Sequence, residues 1–209
     1  MSVRRITRLL PVLVFAVAAP ALRAERESFS FDPAHTQVGF KVRHFDSKVG
    51  GTFKKFSGTI EIDREKPTAS SVDFKIEAAT IDTGNENRDK HLNSADFFDT
   101  AKFPEIAFKS TKIAEKGKDV YEVTGDLTMH GVTKPVVLTV SVGGFAKGPG
   151  GVEKAGFEVA GKINRQDFGV AWNRVVEGAA MLSDDVDVLI TVEANKKKPE
   201  AAAPPAPAK

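Results

Sequence analysis

Cysteine is absent from this chain of 209 residues. That excludes disulfides, thiolate nucleophiles and cysteine-ligated zinc, so the core alone must hold the fold. Histidine is scarce too: His35, His44, His91 and His130 are the full set. No pair stands at the i, i+2 or i, i+4 spacing that converges metal ligands on a strand or a helix. Neither a metal site nor a cofactor is expected. No serine lies in a G-x-S-x-G elbow, which removes the commonest hydrolase signature. No apolar run is long. The longest, residues 9–22, is interrupted by Pro11 and Pro20 and falls short of the ~20 residues of a membrane span. Neither sign of charge dominates, with 30 basic and 28 acidic residues.

That longest run follows Arg4, Arg5 and Arg8 and precedes small residues at Ala19–Ala21 and Ala24. A basic, an apolar and a small-residue part in that order read as a cleaved signal peptide, residues 1–24; the alternative is a membrane anchor. Cleavage would remove Arg4, Arg5, Arg8 and Arg23 and take the net charge from +2 to −2. The remaining chain is near neutral, which gives no reason to expect a nucleic-acid partner. It would also keep no transmembrane segment. From residue 195 the chain is Lys-, Ala- and Pro-rich and cannot bury enough apolar surface to order. Its lysines either touch a polyanion such as anionic lipid or simply keep the tail soluble. One domain, residues 27–194, is left.

Within it, alternation dominates. Val38, Phe40, Val42 and His44 share one face of a strand whose other face carries Gln37, Lys41 and Arg43. Phe56, Gly58, Ile60 and Ile62 share a second face, after a bulge expected at Lys54-Lys55. Val72, Phe74, Ile76 and Ala78 share a third. Further strands are expected from Ile106, through Tyr121 to Met129, from Val136 to Phe145, from Phe157 to Ile163 and from Val186 to Val192. His130–Pro135 reads as a turn. Val136–Phe145, apolar at successive positions, reads as covered on both faces. The fold class is therefore all-β: an antiparallel β-barrel of about eight strands. Fifteen Phe against one Tyr and one Trp give a dry lining. Gly39, Gly58, Gly125 and Gly161 within strands permit curvature and leave room inside. The barrel is either packed solid or hollow enough for one ligand.

Residues 80–104 interrupt the strands. Thr83-x-x-Glu86 fits a capping box for a short helix from about Gly84 to Asn93. Ser94 would cap a further turn with Phe97 and Phe98. Arg88 and His91 share a helix face, with Asp89 beside them. Either an Arg–carboxylate bond ties this helix to the barrel rim, or the helix is a polar lid whose arginine meets a phosphate or carboxylate. His44 likewise is either a core histidine bonded to a carbonyl or a polar group at a cavity mouth.

The strings DPAHTQVGFKVRHF, GTFKKFSGTIEID, RDKHL, FFDTAKFPEIAFKST, GDLTMHGVTKPVVLTV and INRQDFGV together resemble the YceI-like, or polyisoprenoid-binding, proteins. The resemblance covers Phe29 to Val192. It implies a lipocalin-like barrel closed at one end and capped by short helices. It further implies a tunnel for a long-chain amphiphile (polyisoprenoid, isoprenoid quinone, fatty acid or fatty amide), a bacterial periplasmic location and a possible homodimer. Under it, His44, Arg88, Asp89 and His91 are polar groups near the tunnel mouth. Val38, Phe40, Val42, Phe74 and Ile76 line the tunnel. Asn164-Arg165 departs from the acidic–basic pair expected before the DFG turn. The function implied is lipid carriage or sequestration, without catalysis. The alternatives are an enzyme on an isoprenoid or quinone intermediate, using His91 or Asp89, and a ligand-free structural or stress protein.

Overall fold

A computed structural model describes residues 26–198 other than residue 177. The signal peptide read at 1–24 and the tail beyond residue 198 lie outside the described residues. The strands are β1 (Glu27–Phe31), β2 (Gln37–His44), β3 (Ser47–Phe53), β4 (Phe56–Ile62), β5 (Ser71–Glu77) and β6 (Ile81–Asp82). Helix α1 (Glu86–Asn93) follows. Then come β7 (Glu105–Gly117), β8 (Val120–Met129), β9 (Val132–Lys147), β10 (Glu153–Asn164), the short pair β11 (Val175–Val176) and β12 (Ala179–Ala180), and β13 (Leu182–Lys196).

Pairing runs β1-β4-β5-β7-β8-β9-β10-β13 and returns from β13 to β1, a closed ring of eight antiparallel strands. β13 makes closure possible by its length. Its C-terminal end pairs with β1, at Phe31↔Ala194, and the rest pairs with β2, at Thr191↔Gln37. β1 and β2 thus fill one slot of the barrel as a broken strand. The same break recurs next door at Lys54-Lys55, which is not a bulge. There the chain leaves β3, paired with β2, and enters β4, paired with β1. The freed amides of Lys54 and Lys55 donate to the carbonyl and hydroxyl of Thr80 at 3.2 and 3.1 Å. β13 also runs two residues past the domain limit read at Ala194.

His130 and Gly131 are a two-residue hairpin loop, both at positive φ (52° and 76°), the twist that suits a tight antiparallel turn. The turn expected through Pro135 is shorter than read, because β9 begins at Val132. Pro135 pairs with Asp126 of β8, and β10 reaches β9 only from Leu138, so its missing N–H falls where β9 has one neighbour. β9 is not covered on both faces: Val137, half exposed, and Thr139 face outward. Alternation with a threonine on the outer face gives a one-sided strand in spite of the apolar run.

The strand glycines do not leave open space. A Cβ on Gly125 would meet the Phe108 ring at 2.3 Å, and one on Gly161 would meet Leu138 Cδ2 at 2.5 Å. Gly125 and Gly161 each seat a neighbouring strand's large side chain, whereas Gly39 and Gly58 lie closest to main-chain oxygens of the neighbouring strands, so the sheet curls tightly while staying packed. The core has two parts. One gathers Val38, Phe53, Phe74, Ile106, Phe168 and Val170 towards the α1 end. The other gathers Phe29, Ile62, Ala155, Val192 and Ala194 at the far end.

Candidate ligand-binding cavity

The inward residues do not fill the barrel. A cavity of about 720 Å³ runs through it, within the ~300–1,000 Å³ of small-ligand sites. Val38, Phe40 and Val42 of β2 and Phe74 and Ile76 of β5 are on its wall. So are Val136, Leu138 and Val140 of β9 and Val186, Val188 and Ile190 of β13. The middle is dry because every strand turns an aliphatic or phenyl group inward and sends its charged neighbours out. Polar side chains reach the cavity at its ends.

The near end is built around α1. Asn85, not Thr83, is the N-cap: its Oδ1 accepts from the Arg88 amide at 3.0 Å. Asparagine outranks threonine as a cap, which frees Thr83 for another role. Arg88 Nε donates to Thr83 Oγ1 at 2.7 Å and Nη2 donates to the Thr83 carbonyl at 2.8 Å. Asp89 accepts from the Thr83 amide at 3.0 Å and from its hydroxyl. Among the described residues no Arg–carboxylate bond ties the helix down; Thr83 does so, held between Arg88 and Asp89. Arg88 and Thr83 face the cavity, whereas Asp89 does not. Arg88 Nη1 has no hydrogen-bond partner among the described residues, so part of its donor fork is available at the mouth.

His91 also faces the cavity. Its Nε2 is 2.8 Å from Asp96 Oδ2, and its ring stands edge-on to Phe97 and Trp172, each centroid 5.0 Å away. His44 lies on the wall at the end of β2, edge-on to Phe45 at 4.9 Å. Its ring bonds to no carbonyl among the described residues, so the core-histidine alternative is not what forms. The structure therefore brings His44, Arg88 and His91 to one mouth and leaves Asp89 behind them as a support.

Sequence reading missed Arg165 and Trp172. Arg165 is only 5% exposed, in the short turn Arg165–Phe168. Its Nε donates to the Ser183 carbonyl at 3.0 Å. Nη1 donates to the Val170 and Trp172 carbonyls at 2.6 and 2.8 Å, and Nη2 to Asp184 Oδ1 at 3.2 Å. Burial pulls its pKa down and the Asp184 charge opposes that. So a charge pair does exist at this corner, with Asp184 as the acid 19 positions further on. The local signal was an arginine directly before a turn closed by Gly169 at φ 76°.

Asp32, His35 and Glu193 approach one another on the outside of the barrel within 4.8 Å. Lys154 Nζ already bonds both carboxylates there, at 3.2 Å to Asp32. A lysine thus supplies the positive charge. His35 first, then the Ala34 amide, Lys154 and Asn195, hold the Asp32 carboxyl well below the usual carboxylate range against the opposing effect of burial.

Residues 29–194 match the family model described as the YceI-like domain. Protein YceI of Escherichia coli O17:K52:H18 is 42% identical over 165 residues, covering 78% of this chain and 83% of that protein. The crystal structure of the Campylobacter jejuni YceI protein is similar at a TM-score of 0.64 and 40% identity, over 80% of this chain and 96% of that one. A polyisoprenoid binding domain from Saccharophagus degradans, 14% identical, shares the fold at a TM-score of 0.61, over 82% of this chain and 99% of that one. With the barrel, the cavity and the family model in agreement over the whole folded region, this chain belongs to the YceI-like domain family.

Proposed function

We propose that this protein binds one long-chain amphiphilic lipid in its barrel, and that it carries or sequesters that lipid in the bacterial periplasm without transforming it. The candidates are a polyisoprenoid, an isoprenoid quinone, a fatty acid or a fatty amide. The observation that carries the reading is a cavity of about 720 Å³, dry along its length and polar at its ends. That profile matches a long apolar chain with one polar head. The Saccharophagus relative in fold is described as polyisoprenoid-binding, which supports the same class of ligand. Export rests on the three-part sequence of residues 1–24.

Affinity then comes from the chain. Burying ten methylenes contributes about 8 kcal/mol, which corresponds to a Kd of roughly 1 μM before the cost of association. Discrimination comes from the head, where Arg88 offers unpaired donors and His44 and His91 flank it. Native mass spectrometry of the protein from its own periplasm, followed by organic extraction, tests the reading. A stoichiometric long-chain adduct is expected. A mass without ligand, together with no binding of any supplied long-chain amphiphile, would overturn it.

A further inference from the structure

The far end of the cavity carries charges on the wrong side of their strands. Glu27 shares the inward face of β1 with Phe29 and Phe31. Glu153 shares the inward face of β10 with Ala155 and Phe157. Lys196 shares that of β13 with Val192 and Ala194. Alternation makes these faces inward, since Phe29, Ala155 and Ala194 are at most 1% exposed. Three charged side chains therefore lean over the barrel's end, just beyond a floor of phenyl and methyl groups.

Arg64, two residues after β4, completes them. Its Nε donates to Glu27 Oε2 and its Nη2 donates to Glu153 Oε1, at 2.5 and 2.7 Å. Lys196 Nζ bonds the other oxygens of the same two carboxylates, at 2.6 and 3.2 Å. Arg64, Glu27, Lys196 and Glu153 form a closed ring in which every charge has two partners. The guanidinium also lies 4.1 Å from the ring centroid of Phe145, on β9. β4 and β9 are four strands apart in either direction around the eight, so Arg64 reaches across the barrel's end rather than along its rim. Of the four, Arg64 is the one that faces the cavity.

We propose that this ion ring, with Arg64 as its crossbar over Phe145, is the stop that ends the chain-binding cavity and sets the longest chain it accepts. The inference rests on the lipid-binding reading. An isolated exposed ion pair is worth little, but a ring fastened from four strand ends resists displacement. An apolar chain end pushing through it would have to part paired charges and leave them facing hydrocarbon.

Trp172 lines the near end of the same cavity and is the chain's single tryptophan, so its emission reports occupancy. The experiment titrates delipidated protein with saturated fatty acids from decanoate to tetracosanoate. In the wild type, affinity should rise about fourfold per methylene up to one length and then stop rising. Arg64→Ala should move that length upward. For a chain two methylenes beyond the wild-type limit, the variant should bind about 16-fold tighter than the wild type. Glu153→Gln, which removes one of the two carboxylate charges paired with Arg64 and keeps an acceptor for it, should shift the limit in the same direction by less. An unchanged limit in both variants, or a uniform loss of affinity at every length, would overturn the proposal while leaving lipid binding intact. If no fatty acid of any length changed Trp172 emission or displaced a bound fluorescent fatty acid, the lipid reading itself would fail.

Discussion

Arg165→Met tests how much the near end depends on one buried cation. The substitution keeps most of the aliphatic stem and removes all four guanidinium bonds. Three of the acceptors are main-chain carbonyls, those of Val170, Trp172 and Ser183. An orphaned buried acceptor costs about 1–3 kcal/mol. Val170 is buried, whereas Trp172 and Ser183 are only partly so and recover some water. The expected loss is therefore about 3–5 kcal/mol, typical of removing one partner from a buried ionic network and a large share of the roughly 5–15 kcal/mol of a whole domain. Urea unfolding followed by far-UV circular dichroism and by Trp172 emission measures it. The two probes separate a local opening of residues 170–183 from global loss of the barrel. Arg165→Lys should recover part of the loss, because an ammonium reaches some of these carbonyls. Asp184→Asn should cost less than about 1 kcal/mol, since that partner is 46% exposed. A loss under about 1 kcal/mol for Arg165→Met would refute the claim that these bonds hold the mouth together.

Gly58→Ala should destabilise by more than about 2 kcal/mol in the same assay, because its Cβ would stand 2.2 Å from the Asp73 carbonyl oxygen, a backbone atom that cannot step aside. Asp32→Asn should cost stability at neutral pH. The wild-type carboxyl has a lower pKa folded than unfolded, so its contribution is complete above the ordinary value of about 3.9 and is lost as pH falls through the folded value. Acid titration of stability should therefore show the two proteins converging at low pH; a constant gap would contradict the pairing. Arg88→Ala and His44→Ala should each change the ranking of head groups on a fixed chain, measured by competition, more than they change affinity for the chain itself. Asp89→Asn should weaken both, because it loosens Thr83 and with it Arg88; ligand exchange faster than wild type would report that loosening.

Alternation along β2 and β5 put Val38, Phe40, Val42, Phe74 and Ile76 on one interior surface, and the structure gives them a cavity wall. The tight turn at His130-Gly131 was legible as a turn, though not its length, because proline at 135 looked like part of it and is tolerated only through local pairing. The cap of α1 was misread because Thr83-x-x-Glu86 and Asn85-x-x-Arg88 overlap. The short loop let the stronger cap win and left Thr83 to the two side chains that meet it.

Period-two patterning is local. It requires only that each residue know its strand, so the amino-acid sequence by itself determined an all-β chain with a dry interior and one polar helical interruption. It left His44 open between core and cavity mouth, and Arg88 with His91 open between a rim tie and a polar lid. Which strands become neighbours depends on pairings more than a hundred residues apart, such as β13 with both β1 and β2. Only tertiary structure could close the ring and leave a cavity rather than a packed core. Only it could bring Arg165 to three carbonyls and Asp184, or bring Glu27, Arg64, Glu153 and Lys196 together. A charged side chain on an inward face reads as a misfit along its own strand; its partners arrive from other strands, distant in sequence, that closure of the barrel sets beside it.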